Sequence, residues 1–128
     1  MGDQDFTKQK RLLHSQEFDT VFKNKDYRIS TAEFLILAKH NSEAQSRIGM
    51  VIGKKSVKFA VSRNKVKRAI RESFRRNYHS ESNLDIVVVA RPGVNKILKN
   101  GLFTGLNRIW MDLSRKASDK ALIVNSHV

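Results

Sequence analysis

Residues 47–77 read RIGMVIGKKSVKFAVSRNKVKRAIRESFRRN, and they combine a strand pattern with a basic helical pattern. Residues 48–52 have the apolar character of a β-strand, and residues 60–77 have the periodicity of an α-helix. At about 100° per residue, one side of that helix collects Val66, Ala69, Ile70, Ser73 and Phe74. The pattern predicts a helix whose apolar face packs on a sheet.

The remainder of this helix is basic. Its cations recur at i, i+4 spacing on the flank opposite the apolar face, and they are Arg63, Lys67, Arg71 and Arg75, with Asn64 and Arg68 beside them. Like charges at this spacing destabilise a helix by about 0.2–0.5 kcal/mol per pair, so stability gives no reason for the pattern. An ordinary solvated face would alternate Glu with Lys, but Glu72 is the single acid of the helix. A bound polyanion accounts for the pattern better.

The positive charge of the chain is concentrated in the same stretch. Residues 47–76 carry eleven basic residues and one acid, a local charge of +10 out of +13 for all 128 residues. Such a patch is typical of nucleic-acid binding. RNA is favoured over DNA because the sequence shows no helix-turn-helix pair, zinc-finger spacing or basic zipper.

On the N-terminal side, Ser15 is suited to cap a helix that ends near Lys25. Within that helix, the apolar residues Phe18, Val21 and Phe22 recur at helical spacing. Residues 34–38 and 48–52 read as strands on either side of a turn-rich segment, and residues 27–30 can add a short edge strand. The sequence therefore predicts one helix and two or three strands before the basic helix.

On the C-terminal side, residues 86–90 (IVVVA) form an unbroken apolar run, which is typical of a strand covered on both faces. A last helix opens near Asn100 and places along one stripe Leu102, Phe103, Leu106, Ile109, Trp110 and Leu113. We expect Trp110 to lie in the core. The predicted fold is a single-domain α+β sandwich of order α-β-β-β-α-β-α, in which the basic helix is the crossover of a βαβ unit.

Composition excludes several classes of protein. The chain has no cysteine and hence neither disulfides nor thiolate metal sites. It has no apolar run of the roughly 20 residues that a membrane span needs, and no apolar signal segment at its start, so we expect a cytoplasmic protein without a membrane partner. The four histidines lack metal-ligand spacing, and GMVIGKKS at residues 49–56 departs from a phosphate-binding loop in spacing and in its final residues. We predict neither a catalytic residue nor a metal site.

The run at residues 47–77 resembles the signature of the bacterial ribonuclease P protein subunit, which is close to K-K-x-V-x-x-A-x-x-R-N-R-x-K-R-x-x-R-E-x-F. The similarity extends to RLLHSQEFDTVFKN before it and to DIVVVARPGV and the last helix after it. The resemblance implies a ribonuclease P protein-like RNA-binding domain at residues 11–116. Residues 1–10 are polar and mixed in charge and residues 117–128 show no clear period, so we expect a loose N-terminal segment and a disordered tail. The resemblance also implies that the βαβ crossover is left-handed, against the general preference.

The resemblance implies binding to the catalytic RNA of ribonuclease P, which removes the 5′ leader of precursor tRNA. The RNA is then the catalyst, the holoenzyme requires Mg²⁺, the protein alone is inactive, and no protein partner is implied. Carried over by position, with the cation row included, the contacts to the catalytic RNA are Lys54, Lys55, Arg63, Asn64, Lys65, Lys67, Arg68, Arg71 and Arg75. Lys65 departs from the family's usual arginine, which keeps the charge but loses the bidentate fork.

The resemblance further implies a cleft for the single-stranded leader, formed by Phe18, Phe22, Leu35 and Leu37. Aromatic rings suit unpaired bases, but the spacing of the two phenylalanines by itself favours core packing, and only the resemblance brings the two interpretations level. Two other functions stay open on the residues alone. One is a ribosomal or other structural RNA-binding protein without a role in cleavage, and the other is a self-sufficient ribonuclease.

Overall fold

A computed structural model describes residues 15–126 of the chain, with side chains as far as residue 118. Its elements are α1 (Ser15–Asn24), β1 (Tyr27–Ser30), β2 (Phe34–His40), β3 (Arg47–Val51), α2 (Ala60–Asn77), β4 (Leu84–Ala90), a 3₁₀ helix (Pro92–Ile97) and α3 (Leu102–Ser126). The α+β class and the order α-β-β-β-α-β-α are confirmed, and α2 has its predicted limits. The 3₁₀ helix was not predicted, although Pro92 in its first turn suits a helix start.

The four strands form one sheet in the order β1-β2-β4-β3. β1 pairs with β2, and β2 with β4, in antiparallel fashion, whereas β3 and β4 are parallel neighbours. Because α2 joins these two parallel strands, the predicted βαβ crossover through the basic helix is confirmed. β1 lies at the edge, as its short length suggested.

β4 is covered on both faces, as the run IVVVA predicted. Ile86, Val88 and Ala90 join the main core, which lies between the sheet and the helices α2 and α3. On the opposite face, Val87 and Val89 join a smaller cluster under α1. The sheet is therefore sandwiched between α1 and the α2–α3 pair.

The apolar face of α2 is buried as predicted. Val66, Ile70 and Phe74 all belong to the main core. Trp110 is fully buried beside them, and its indole N–H donates to the Ser73 hydroxyl across 2.7 Å. This packing fixes which side of α2 is turned to solvent.

Two expectations for the C-terminal helix differ from the structure. Phe103 lies 48% exposed instead of packing inward, because a groove separates the first turn of α3 from α2. α3 also continues through Ser126, past the start of the tail expected at residue 117, because Ala117 extends the apolar stripe and is buried. The segment expected at residues 1–10 lies outside the described residues. Within residues 15–126, no helix is long and apolar enough to cross a membrane.

Candidate nucleic-acid interface

The outer side of α2 and the loop before it form an exposed basic face. We define this basic face by its exposed members Lys54, Lys55, Asn64, Lys65 and Arg68. Arg63, Lys67 and Arg71 are half-buried along one flank, so the predicted row does not run opposite the apolar face as expected. An i, i+4 row turns by about 40° at each step because the helix has 3.6 residues per turn. The row therefore passes diagonally from the flank to the solvent side at Arg75.

The loop that presents the two lysines is held by backbone bonds. The carbonyl of Gly53 accepts bonds from the N–H groups of Ser56 and Val57 at 3.1 and 2.9 Å. The guanidinium of Arg63 donates to the carbonyls of Val57 and Lys58 at 3.0 and 2.8 Å. Since Val57 is buried, this loop is tied both to the core and to the first turn of α2. Arg63 thus stabilises the loop that carries Lys54 and Lys55.

Some cations of the predicted patch are paired within the chain. Arg75 and Arg76 lie 2.7 and 3.7 Å from the carboxylate of Glu72. By contrast, no carboxylate among the described residues forms an ion pair with Lys65, Lys67 or Arg68. The positive charge at the centre of α2 is therefore directed to solvent and available to an anion.

Arg47 has a structural role instead. Its guanidinium binds the carboxylate of Asp85 in a two-pronged manner at 2.8 and 2.7 Å, and it reaches Glu17 of α1 at 3.4 Å. Asn41 donates to the same carboxylate at 2.7 Å. The hydrogen bond with Asp85 is the main cause that raises the pKa of Arg47 above its usual value. Arg47 thereby connects α1 to strands β3 and β4 and does not belong to the basic face.

A second surface lies where α1 crosses the sheet. Phe22 is 39% exposed, while Phe18 and Leu35 are half-buried at the edge of the cluster under α1. Leu37 is buried with Val21 in the centre of that cluster. The structure thus brings the four predicted cleft residues together, but it places Leu37 in the floor, where it supports the others and offers no surface of its own.

Strand register adds residues that the sequence did not indicate. Leu35 pairs with Val89, and Val89 pairs with Val51, so these three side chains form one row on the α1 face. Val51 is 40% exposed at the end of that row. We call Phe18, Phe22 and this row the α1 cleft. The alternation of β3 placed Val51 on one face of a strand, but which face α1 covers depended on pairing between strands that are not consecutive.

In the part of the chain whose side chains are described, the acidic and histidine residues form no metal centre. Within the described residues, no group of three or more such side chains is arranged to hold a metal ion. His40 accepts or donates a bond with the Tyr27 hydroxyl at 2.8 Å. The basic face offers cations and the α1 cleft offers exposed apolar side chains, and together these groups are suited to recognise an extended anion.

A family model described as Ribonuclease P matches residues 6–114. This chain belongs to the ribonuclease P protein family. The chain is 43% identical over 126 residues to the ribonuclease P protein component of Pseudomonas putida strain GB-1, with 98% of this chain and 94% of that protein covered. It is 41% identical over 115 residues to that of Pseudomonas aeruginosa, with 90% and 85% covered.

Solved ribonuclease P proteins share the fold. The protein from Thermotoga maritima superposes with a TM-score of 0.69 at 30% identity, covering 83% of this chain and 96% of that one. The protein from Staphylococcus aureus gives 0.64 at 25% identity, with 88% and 94% covered. As a ribonuclease P protein, the chain is a subunit of a tRNA-processing endoribonuclease. The resemblance drawn from residues 47–77 is confirmed. The alternative, a structural RNA-binding protein without a role in cleavage, is not supported by these comparisons.

Proposed function

We propose that this ribonuclease P protein binds the catalytic RNA through its basic face and the 5′ leader of precursor tRNA through the α1 cleft. The observation that carries the first part is the direction of the charge. Lys65, Lys67 and Arg68 have no carboxylate partner among the described residues, and they stand on a helix whose other side is buried. A rigid array of cations of this kind matches a folded polyanion.

The basic face offers two kinds of contact. Arg68 can hold a phosphate with two parallel hydrogen bonds, whereas Lys54, Lys55 and Lys65 supply point charges. Asn64 can donate to a phosphate or sugar oxygen. Arg71 and Lys67 extend the contact along the flank, and Arg63 supports it through the loop carbonyls.

The α1 cleft suits unpaired nucleotides. Phe22 offers an exposed ring, and Leu35, Val89 and Val51 offer an apolar row beside it. Bases of any sequence can stack on or pack against such a surface, and this tolerance is what leaders of many different precursors require. Phe18 both packs against the cluster and borders the cleft.

The chemistry of cleavage is proposed to reside in the RNA. The holoenzyme is expected to need Mg²⁺, but the described residues of this chain lack a group of acids that would hold it. We expect purified protein alone to leave precursor tRNA intact, and protein with catalytic RNA to cleave it. We also propose that the protein acts in the cytoplasm. Cleavage by the protein alone would favour a self-sufficient ribonuclease.

The test of the basic face is Arg68→Ala, with Lys116→Ala on the exposed surface of α3 as the matched control. Each phosphate contact contributes about 0.9 to the steepness of log affinity against log salt for B-form DNA and about 0.7 for a single strand, so loss of one contact with a folded RNA should reduce the steepness by about 0.7–0.9. We expect that change for Arg68→Ala and none for the control. Equal slopes for the wild type and Arg68→Ala would remove Arg68 from the interface.

The test of the α1 cleft is Phe22→Ala, with Met111→Ala as a control because Met111 is an exposed apolar residue of α3. The first variant should lose about tenfold in affinity for a precursor with a long leader, and little for one with a single leader nucleotide. An equal loss on both substrates would contradict stacking in the cleft. Circular dichroism and thermal melting of each variant show whether the fold is kept.

A further inference from the structure

A separate groove lies between α2 and the first turn of α3. It has a volume of about 440 Å³, and its sides include Lys65 and Arg68 from α2 and Lys99 and Phe103 from the start of α3. That volume falls in the range of about 300–1,000 Å³ seen for sites that hold small organic molecules. Ala69 and Leu102 are buried at its base. We call this feature the α2–α3 groove.

The charge of the α2–α3 groove has one sign. Three of its side chains are cationic, and none of the described residues that line it is Asp or Glu. Lys65 and Arg68 also have no ion-pair partner among the described residues. A groove lined in this way attracts an anion, whether it is a nucleic-acid phosphate or an acidic protein segment. Charge alone therefore does not decide between these two partners, and the shape of the groove does.

An aromatic ring stands at the same groove. Phe103 is 48% exposed although it lies in a helix whose other large apolar residues are mostly buried. An exposed ring beside three cations is the combination that single-stranded nucleic acid requires, because the ring accepts a base and the cations hold its phosphates. The carboxylates of an acidic polypeptide would pair with the cations but do not stack on the ring, so the ring and the cations together favour a nucleotide.

We propose that the α2–α3 groove receives an unpaired nucleotide of the catalytic RNA, with Phe103 stacking on the base and Lys99, Lys65 and Arg68 holding the adjacent phosphates. This inference rests on the proposed function, because two of the four residues belong to the basic face. It extends that face across to α3 and adds Lys99 and Phe103 to the interface.

The position of the groove selects the catalytic RNA over the leader. α2 and α3 cover one face of the sheet, through Val88 and its neighbours. The α1 cleft lies on the other face, on the row that contains Val89. A leader bound in the cleft is thus separated from the groove by the sheet, whereas RNA on the basic face is adjacent to it.

The first experiment measures affinity for the catalytic RNA with three substitutions at one position. Phe103→Ala and Phe103→Leu should each weaken binding by about tenfold, since leucine keeps apolar bulk but has no flat ring, and Phe103→Tyr should bind as the wild type does. Met111→Ala, on the same helix and outside the groove, should be unchanged. Wild-type affinity for Phe103→Ala, or an equal loss for Phe103→Tyr, would overturn the proposal.

The second experiment tests the phosphate contacts through salt dependence. Lys99→Ala should lower the salt slope by about 0.7, the value for one contact with a single strand, and Lys116→Ala should not. Lys54→Ala reports on the basic face outside the groove. If Lys54→Ala lowers the slope and Lys99→Ala does not, the groove is excluded and the proposed function stands. If neither lowers it, both fail.

The third experiment identifies the occupant. A photoreactive phenylalanine analogue at position 103 of the reconstituted holoenzyme should crosslink to one unpaired stretch of the catalytic RNA. A crosslink to the precursor leader, or to no RNA, would overturn the proposal.

Discussion

The bond between Trp110 and Ser73 connects the two helices that lie on the sheet, and its removal tests how well that connection is shielded from water. Both residues are fully buried. The Ser73 hydroxyl accepts the indole N–H at 2.7 Å and donates to the carbonyl of Ile70 at 3.1 Å. Ser73→Ala removes the acceptor and leaves an indole N–H with no access to solvent.

The expected loss follows from three contributions. A buried donor left without a partner costs about 1–3 kcal/mol, and the carbonyl of Ile70 keeps its bond within the helix. Alanine has a helix propensity that is better than that of serine by about 0.5 kcal/mol, which offsets part of the loss. The volume change is small because only one oxygen is removed. We therefore expect the free energy of unfolding to fall by about 1–2 kcal/mol and the Tm to fall by roughly 5 °C.

The assay is urea unfolding followed by fluorescence, since Trp110 is the single tryptophan of the chain and Ser73→Ala retains it. Ser62→Ala is the matched control, because Ser62 is a half-buried serine of the same helix and should change stability by less than about 0.5 kcal/mol. Affinity for the catalytic RNA at 25 °C should be unchanged, since the variant is still folded. Equal midpoints for Ser73→Ala and Ser62→Ala would show that the indole N–H is not shielded, and the account of this packing would be wrong.

Two further predictions concern backbone space and pH. A side chain on Gly93 would bring its Cβ into collision with the backbone carbonyl oxygen of Ala32, so Gly93→Ala should lower the free energy of unfolding by about 1–3 kcal/mol. Gly105→Ala, whose nearest contact is 4.0 Å away in a helix, should raise it by up to about 1 kcal/mol. Denaturant midpoints that moved in the same direction for the two variants would contradict this. Burial raises the pKa of Tyr78 above its usual value of 10.0, so its contribution to stability is complete below pH 10 and is lost as the pH rises through the folded-state pKa. Tyr78→Phe should therefore lose less stability than the wild type between pH 8 and about pH 11 in urea titrations, and parallel losses would refute it.

The features that the sequence predicted best depend on periodicity within one element. Val66, Ile70 and Phe74 lie on one side of α2 whatever the helix packs against, so a count of residues was enough to find the buried face. The run at residues 86–90 likewise indicated a strand with two covered faces without any knowledge of its neighbours. Local pattern therefore yielded the elements and their order, and the family signature yielded the function.

The features that the sequence did not predict depend on contacts between distant residues. The sequence places Arg47 in the basic stretch, whereas in the structure its guanidinium is paired with Asp85 and Glu17. Phe103 matched the apolar stripe of α3, but it lies at the α2–α3 groove, whereas its neighbour Leu102 is buried in the core. An arginine can serve in an ion pair or as an exposed cation, and a phenylalanine can lie in the core or at the surface. Which of the two applies depends on residues distant in the sequence, and periodicity within one element carries no information about them.

The two proposed RNA surfaces lie on opposite faces of one sheet, and β4 is the element that connects them. Its residues alternate, so that Val88 supports the helices that carry the basic face and Val89 borders the α1 cleft. A strand with side chains on both faces cannot shift by one residue without exchanging the two sets, because neighbouring side chains point in opposite directions. If the proposed function holds, the geometry between the catalytic RNA and a bound leader is set by the register of this central strand, which is paired on both sides. That is a more rigid support than a loop or a hinge could offer.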